Sequence, residues 1–443
     1  MKTKTKMKNS MLLILIFILI SLRCDTTEPP PIILSDNSVA NSILLKVEWT
    51  DMHRIKLKWN KSPKDTLMSF IYRLTQTDEL GNKTTKEFTN IKIDTSYISG
   101  EPDSLLQGKR YWYKVEGFNK DNKLKDTSKT IEAKTLNPTS HDIIWQIDTL
   151  GQPGNFLNDV WGFDESNVYA IGAINMAEGI TSIIKWDGVK WNYHSWPEGG
   201  ASGIFGFSSN DIWIVGDYSN RGFIGHFNGT SWTEYRSDYF LARGDTVYPL
   251  RAVWGSSPDN VWAVGDKGTI IRWDGSEWKK TASPIDIRLN DILGVSSREI
   301  YAISISITNQ SKLIRYDGNT WEDVTLLLPN YPRSFTSLWF DRSGSGYLVG
   351  NNITTFQRGT FNTSSFRPDR FLLAVQGKNS VDVIAVGQTG RVIHFNGIGW
   401  SNYPELWDAN IGNELRGIYM GENKIIIVGK ISAGAIIIKG ERL

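Results

Sequence analysis

The chain has 443 residues and an almost balanced charge, with 49 Lys and Arg against 47 Asp and Glu. Hydrophobic residues make up 40% and charged residues 22%. This composition is typical of globular protein and excludes a disordered chain or a multispanning membrane protein. The small net charge of +2 argues against a nucleic-acid-binding protein, which usually carries a strong basic excess. A single cysteine excludes a disulfide framework and a thiolate metal cluster.

The first residues have the pattern of an export signal. Four lysines and no acid precede an unbroken apolar run from Met11 to Ile20. A run of about ten apolar residues is typical of a secretory signal, whereas a membrane-spanning helix needs about twenty. We therefore predict a signal peptide over residues 1–23. The polar, proline-rich residues 24–35 are expected to form a stiff tether between the membrane and the folded part.

The only cysteine, Cys24, follows this signal directly. The arrangement resembles the lipobox of bacterial lipoproteins, although Arg23 stands where the family usually has a small residue. The resemblance implies that Cys24 is lipidated and anchors an exported protein, at the outer membrane or the cell surface. A plain secretory signal with an incidental cysteine is the alternative.

Residues 36–137 show the pattern of a small antiparallel β-sandwich. Apolar and polar residues alternate from Arg54 to Trp59, and short strands separated by turns follow. The segment from Leu106 to Val115 resembles the fibronectin type III domain, with a leucine, a glycine turn and then Tyr-x-Tyr-x-Val. This resemblance implies that Trp59 is buried and that the Tyr111 hydroxyl bonds to upstream backbone. Because no loop has distinctive chemistry, a spacer is favoured over a ligand-binding module.

The rest of the chain, residues 141–443, repeats about every 43 residues. One motif is apolar-x-Gly, with drifted copies, and its third positions are Gly162, Gly206, Gly255, Gly294, Phe340, Gly377 and Met420. A second motif ends at Gly172, Gly216, Gly265, Ser304, Gly350, Gly387 and Gly429. A third is a turn followed by an aromatic residue at Trp191, Trp232, Trp278, Trp321, Phe361 and Trp400. Short strands at this period predict a β-propeller with seven blades.

Each motif has a physical interpretation. The Asp-Gly and Asn-Gly pairs suit two-residue hairpins, which need positive φ at both central positions. Glycines at strand ends permit close approach of the backbone, and the tryptophans are expected to fill the space between neighbouring sheets. Basic residues recur three positions before the turn glycine, and we expect them to have a structural role: Lys185, His226, Arg272, Arg315 and His394.

The seventh copy is incomplete, because the chain ends before a fourth strand and its tryptophan. An orphan strand, Ile143–Ile147, precedes the first copy. We predict that it completes the last blade, with Trp145 in place of the missing tryptophan, and so closes the ring without an open edge. The fold class is therefore all-β: a fibronectin type III-like sandwich followed by a closed seven-bladed propeller.

The repeats resemble bacterial propellers with recurring VWG…VWAVGD…RWDG..W units, best preserved from Val253 to Trp278. These are related to sialidase-type and photosystem-assembly-factor-like propellers, and the resemblance implies a fold without an agreed activity. The Asp-box of sialidases is only approximated at Ser257–Trp262. We identify no catalytic constellation, no cofactor motif and no metal site, since His226 and His394 lie in different repeats.

Binding is the remaining function class. Connections from the fourth strand of one blade to the first strand of the next lie on one face of a propeller, and several are long and aromatic. The candidate ligand-binding residues are Trp196, Tyr239, Phe240, Arg243, Tyr248, Tyr331, Arg333 and Trp407. Such residues suit stacking on a sugar or a protein hot spot. We expect a monomeric, non-catalytic surface protein that recognises a glycan or a protein; the alternative is a glycosidase or lyase at the channel mouth.

Overall fold

A computed structural model of the chain shows an all-β protein. It describes residues 43–91, 94–100, 104–176, 179–194, 200–236, 247–305, 310–329, 334–357, 359–407 and 414–443. Its helical content is limited, within these ranges, to short 3₁₀ turns at Asp266–Gly268, Thr325–Leu327 and Pro404–Leu406. Over the same ranges, no helix has the length and apolar character needed to cross a membrane.

The N-terminal unit is a sandwich of two antiparallel sheets. Its strands are β1 (Leu45–Thr50), β2 (Ile55–Asn60), β3 (Ile71–Thr77), β4 (Lys83–Phe88), β5 (Asp94–Ser99), β6 (Arg110–Phe118), β7 (Leu124–Thr127) and β8 (Ile131–Lys134). One sheet has the order β1-β2-β5; the other has the order β4-β3-β6-β7, with β8 also paired to β6. The alternation in β2 buries Ile55, Leu57 and Trp59 against the second sheet, as period-2 patterning requires.

Two contacts predicted for the sandwich are present. The backbone N–H of Leu106 donates a hydrogen bond of 2.9 Å to the hydroxyl of Tyr111, whose side chain is buried. Trp59 lies on the second strand and packs edge-on against Phe88 at 5.0 Å between ring centroids. The Tyr111 bond fixes the chain where it enters β6. Membership of the fibronectin type III family itself stays a prediction.

The C-terminal unit is a propeller of seven four-stranded antiparallel sheets, as predicted. Blade one consists of β10 (Phe156–Asp164), β11 (Asn167–Met176), β12 (Gly179–Trp186) and β13 (Trp191–Tyr193). Blade two consists of β14 (Gly200–Ser208), β15 (Asp211–Tyr218), β16 (Arg221–Phe227) and β17 (Trp232–Arg236). Blade three consists of β18 (Leu250–Ser257), β19 (Asn260–Gly265), β20 (Ile270–Trp273) and β21 (Trp278–Lys280). Blade four consists of β22 (Leu289–Ser296), β23 (Glu299–Ser304), β24 (Leu313–Tyr316) and β25 (Trp321–Asp323). Blade five consists of β26 (Phe335–Phe340), β27 (Gly346–Gly350), β28 (Ile353–Gln357) and β29 (Thr360–Thr363). Blade six consists of β30 (Leu372–Asn379), β31 (Asp382–Gly387), β32 (Val392–Phe395) and β33 (Trp400–Asn402). Blade seven consists of β34 (Glu414–Met420), β35 (Lys424–Ile431), β36 (Gly434–Arg442) and the N-terminal strand β9 (Ile143–Leu150).

Blade seven confirms the predicted closure. Strand β9 is its outermost strand and pairs with β36 from Ala435↔Leu150 to Arg442↔Ile143. Trp145 lies opposite Gly440, in the register that Trp278 has opposite Trp273 in blade three. Both termini of the propeller are therefore held in one sheet, and the ring has no unpaired edge at this joint.

Two kinds of glycine let the blades approach the axis. A Cβ on Gly265 would overlap the carbonyl oxygen of Pro249 on the neighbouring strand. A Cβ on Gly377 would lie 2.6 Å from the Trp339 ring of the preceding blade. The repeated glycines thus create room for backbone in one motif and for an aromatic ring of the next blade in the other.

The turns differ from the predicted two-residue hairpins. The loop between β20 and β21 has four residues, Asp274–Glu277, and the N–H of Asp274 donates to the carbonyl of Glu277 at 3.2 Å. Only Gly275 has a positive φ, 94°. The Asp274 carboxylate accepts the N–H groups of Ser276 and Glu277 at 3.0 Å, so a side-chain cap replaces the second left-handed residue.

The tryptophans fill the space between blades, as predicted. Trp213 in blade two contacts Trp278 of blade three edge-on, with ring centroids 5.5 Å apart, and Trp262 contacts Trp321 of blade four in the same way at 5.6 Å. The recurring basic residues also have a structural role. His226 stacks on Trp213 at 3.8 Å, and Arg272 lies 5.2 Å from the centroid of Trp262. Four of the five basic residues lie opposite an aromatic residue of their own blade, whereas His394 lies opposite Ile384.

Candidate functional site

Two kinds of connection meet on one face of the propeller, which we call the loop face. It is formed by the connections between consecutive blades and by those between the second and third strands of each blade. Tyr248 lies in the connection that enters blade three. The centroid of its ring is 4.5 Å from Nζ of Lys267, which lies between β19 and β20. Trp407 lies in the connection that enters blade seven. The centroid of its ring is 3.5 Å from Cζ of Arg391, which lies between β31 and β32. In both cases an aromatic ring is held by a cation of the adjacent turn.

The candidate residues therefore divide into two groups. Tyr248 and Trp407 lie on the loop face, at the entrances to blades three and seven. The others lie outside the described residues, as does the lipidation site Cys24: Trp196, Tyr239, Phe240, Arg243, Tyr331 and Arg333. Their roles remain predictions.

The contact between Trp407 and Arg391 has the geometry of a prepared binding surface. The Arg391 side chain is only 3% exposed and forms an ion pair with Asp369. Its Nη1 donates to Asn402 at 3.3 Å, while its Nε has no hydrogen-bond partner in the described part of the chain. Trp407, in contrast, is 37% exposed. A buried cation thus fixes one face of a ring whose remaining surface is open to solvent.

A charged cluster on the loop face was not predicted from the sequence. The Asp266 carboxylate accepts two hydrogen bonds from Arg251, at 2.9 and 2.7 Å, and one from Nε of Arg288 at 2.7 Å. Burial opposes ionisation of Asp266, but hydrogen bonds and charge from the two arginines outweigh it and hold its pKa below the usual value. Two cations share the Asp266 carboxylate, and the carboxylate of Asp217 in blade two also acts electrostatically on Arg251. With Lys267 of the same turn, three cations stand against two carboxylates, so this cluster has a net positive charge.

A second cluster repeats this arrangement in blade seven. Glu414 accepts a hydrogen bond of 2.6 Å from Arg416 and pairs with Lys430 at 3.3 Å. Arg416 also donates to the Asn158 side chain of blade one at 2.7 Å. Within one repeat, Arg251 and Asp266 are fifteen residues apart, so only the antiparallel register of the blade brings such pairs together. An alignment of the repeats by their glycines could have indicated that these charged residues lie side by side.

Two carboxylates lie further inside, where the first strands surround the axis. Asp159 in blade one accepts the backbone N–H of Ile204 in blade two at 3.1 Å. Asp291 in blade four accepts the N–H of Leu338 in blade five at 3.0 Å and the Ser337 hydroxyl at 2.7 Å. Burial raises the pKa of Asp159 to about 7 and that of Asp291 to about 6. These bonds join adjacent blades at the axis.

The histidines have partners of a structural kind. Nε2 of His226 lies 2.9 Å from Asp211, and Nε2 of His394 lies 3.0 Å from Asp382, in each case within one blade. Nδ1 of His394 also lies 2.9 Å from Nδ1 of His141, next to the closing strand. Across the described ranges, no group of three or more His, Cys, Asp or Glu side chains is arranged to hold a metal ion.

The propeller resembles solved structures at low sequence identity. The structure of YCF48 bound to D1 peptide has a TM-score of 0.53 and 16% identity, covering 68% of this chain and 96% of that one. The extracellular domain of BT3049 from B. thetaiotaomicron has a TM-score of 0.51 and 9% identity, covering 67% of this chain and 42% of that one. The WD40 propeller of Doa1 has a TM-score of 0.49 and 12% identity, covering 68% and 98%. No family model matches the chain, and no curated protein matches it. The first two likenesses show that this chain has a β-propeller fold.

Proposed function

We propose that this protein is a non-catalytic binding or scaffold protein whose loop face holds an acidic segment of a partner protein. The observation that carries this proposal is the charge of that face. Asp266 and Glu414 are each paired with two cations. Asp217 adds a carboxylate beside Arg251, but Lys267 adds a further cation, so each cluster keeps an excess of one positive charge. A carboxylate of a partner can therefore pair with a cation that is already positioned, and it displaces no essential contact.

The aromatic residues supply the second part of the interaction. Trp407 is held by Arg391 and leaves one face free, which suits an interface anchor that is immobilised before binding. The structural neighbour YCF48 was solved with a peptide bound, which supports a peptide ligand for a propeller of this shape. An exposed tryptophan also suits stacking on a sugar ring, so a glycan is the alternative ligand.

The proposed location follows from the sequence. The apolar run that ends at Cys24 supports export and a lipid anchor, and the proline-rich residues 24–35 would separate the folded part from the membrane. A tethered binding module in that position meets extracellular or periplasmic partners. The sandwich between tether and propeller would then act as a spacer.

The enzyme alternative would use carboxylates near the channel. Asp159 and Asp291 are the described candidates, and a raised pKa is a common property of catalytic acids. However, each also accepts a backbone N–H of its own strand at 2.8 Å, Val160 for Asp159 and Ile292 for Asp291. With the bonds to the next blade, both oxygen atoms of each carboxylate accept a hydrogen bond, which supports a structural role.

The proposal is tested by binding of the full chain to an array that contains acidic peptides, neutral peptides and glycans. The variants are Arg288→Ala and Lys430→Ala, because Asp266 keeps Arg251 and Glu414 keeps Arg416, so neither variant leaves an unpaired carboxylate. Lys280→Ala, on the outermost strand of blade three, is the matched control. We expect each loop-face variant to weaken binding of acidic peptides by about tenfold, and more strongly at low salt. Equal binding by all variants, binding of glycans alone, or turnover of any polysaccharide would each overturn the proposal.

A further inference from the structure

Blade five differs from the other six blades at one position of the third strand, where the others carry a basic residue. In blades six and seven this residue, His394 or Lys439, lies opposite an isoleucine. In four blades, an aromatic residue of the second strand lies directly opposite a basic residue of the third. These pairs are Tyr169↔Lys185, Trp213↔His226, Trp262↔Arg272 and Tyr301↔Arg315. In blade five the aromatic residue is Tyr347, but its partner is Thr355. Tyr347 therefore lacks the cation that lies beside its counterparts.

The shorter side chain leaves a cavity of about 330 Å³ between blades five and six. Its aromatic walls come from Tyr347, Phe366, Phe395 and Trp400, and hydroxyl groups from Thr355 and two serines complete the lining. Trp400 meets Tyr347 edge-on at 5.5 Å. This volume is in the range of small-ligand sites.

The position of the cavity makes it accessible from outside. It lies between the turn that joins β32 and β33 and the connection from β29 to β30, which supplies Ser364, Ser365 and Phe366. Ile398 of this turn lies at the rim and is 75% exposed. Its exposure makes Ile398 the side chain that an entering ligand would meet at the rim.

We infer that this cavity is a second binding site, which takes an arginine or lysine side chain of a partner protein. The chain itself supplies the argument, because it places its own cation at this point in the other blades: Lys185 lies 5.2 Å from the centroid of Tyr169, and Arg272 lies 5.2 Å from that of Trp262. A partner's cation would restore the same contact between blades five and six. This site goes beyond the loop-face function and does not depend on it.

The surroundings of the cavity also suit a cation. The described residues that line it are aromatic, aliphatic or hydroxyl-bearing, and none of them carries a positive charge. Burial and the nearby carboxyl group of Asp341 both raise the pKa of Tyr347. Asp341 is thus close enough to act on the ring electrostatically. A cation over the ring would be flanked by π-faces and hydroxyl acceptors.

The test uses acetyl-arginine amide as the probe and acetyl-citrulline amide as its uncharged isostere, with saturation-transfer NMR on the full chain. The decisive variant is Thr355→Arg, which reproduces the pair of blade four and fills the cavity from within. Thr360→Arg places the same charge on the exposed edge strand of that blade and is the matched control. We expect saturation transfer to the arginine probe in the wild type and in Thr360→Arg, and about a tenfold loss in Thr355→Arg. We expect a much weaker signal for citrulline.

A second variant keeps the test decisive if Thr355→Arg folds poorly. Ile398 is exposed, so Ile398→Lys leaves the core intact while adding a repelling charge at the rim, and it should lower the signal severalfold. The inference is overturned by equal transfer to arginine and citrulline, by transfer unaffected in both cavity variants, or by transfer to methyl glucoside in place of arginine. Arg288→Ala should leave the signal unchanged, which separates this site from the loop face.

Discussion

Trp145 lies directly opposite Gly440, 295 residues later in the chain, and this pair joins the beginning of the propeller to its end. The glycine is required at this point, because a Cβ would lie 2.5 Å from Cζ3 of the indole ring. The ring also packs edge-on against Tyr403, with centroids 5.1 Å apart. Closure of the seventh blade therefore depends on an aromatic side chain from outside its own repeat.

We predict that removal of this strand opens the propeller. Trp145→Ala should lower the free energy of unfolding by about 2 kcal/mol, less than for a fully buried tryptophan because the ring is half-buried. Deletion of residues 141–149 should have a larger effect and cause aggregation, since it exposes β36 as an open edge. Both are measured by thermal unfolding and light scattering.

Deletion of residues 25–135 is the comparison for this experiment. It removes the tether and the sandwich but leaves β9, so the propeller should remain folded. An unchanged melting temperature after loss of residues 141–149 would show that the closing strand is dispensable.

The contact between Gly377 and Trp339 gives a second prediction. Gly377→Ala would place a methyl group within 2.8 Å of three atoms of the buried Trp339 ring. Because the interface between blades five and six is closely packed, we expect a loss of about 1–3 kcal/mol in chemical unfolding. Gly200→Ala is the matched control, since its Cβ would lie 3.7 Å from the nearest atom. Equal stability of the two variants would contradict the packing argument.

The sequence was sufficient for the architecture because each motif reports on local backbone geometry. The repeat of glycines and tryptophans predicted seven blades, and the missing tryptophan of the last repeat predicted the position of Trp145. The turn type was predicted wrongly, since the capping carboxylate of Asp274 competes with a second left-handed residue. This competition depends on a side-chain contact that the Asp-Gly pair alone does not specify.

The sites were less predictable than the fold. The long aromatic loops predicted eight candidate residues, of which Tyr248 and Trp407 lie in the described part of the chain, on the loop face. Strand register brings Arg251 to Asp266 and Lys430 to Glu414, residues that are far apart in sequence. The cavity at Thr355 is visible in the repeat pattern only as a threonine in place of a cation. The threonine indicates a cavity only once the structure shows that it lies opposite Tyr347.

Lipidation is predicted to depend on Cys24 alone, because it is the only thiol in the chain. Cells expressing the wild type and supplied with labelled palmitate should yield a labelled protein in the membrane fraction. Cys24→Ser should abolish the label and release the protein from that fraction. Cys24→Ala is the second variant, to show that the hydroxyl has no effect of its own. Label retained in both variants would exclude this anchor.

The carboxylates at the axis predict an unusual dependence of stability on pH. Burial raises the pKa of Asp159 to about 7 and that of Asp291 to about 6, from the 3.8 of an unperturbed aspartate. Between the unfolded and folded pKa values, the folded state binds more protons than the unfolded state. Stability is therefore greatest at low pH within this window and falls as the pH rises through the folded pKa values.

Other carboxylates act in the opposite sense but in a different window. Asp266 and Glu414 have lowered pKa values, so their contribution is present above their unfolded pKa and is lost only in acid. Urea unfolding from about pH 5 to about pH 8 therefore excludes these two groups. Burial also raises the pKa of Asp341 and lowers those of His141 and His194, so the effect of the axial pair is the difference between the wild type and a variant that lacks both carboxylates. We expect the wild type to lose stability over this range and the double variant Asp159→Asn/Asp291→Asn to show a flatter profile. Its amides cannot ionise but keep oxygen acceptors for the backbone of the next blade. Parallel profiles for the two proteins would show that these carboxylates do not titrate on folding, and that their bonds between blades do not depend on their charge.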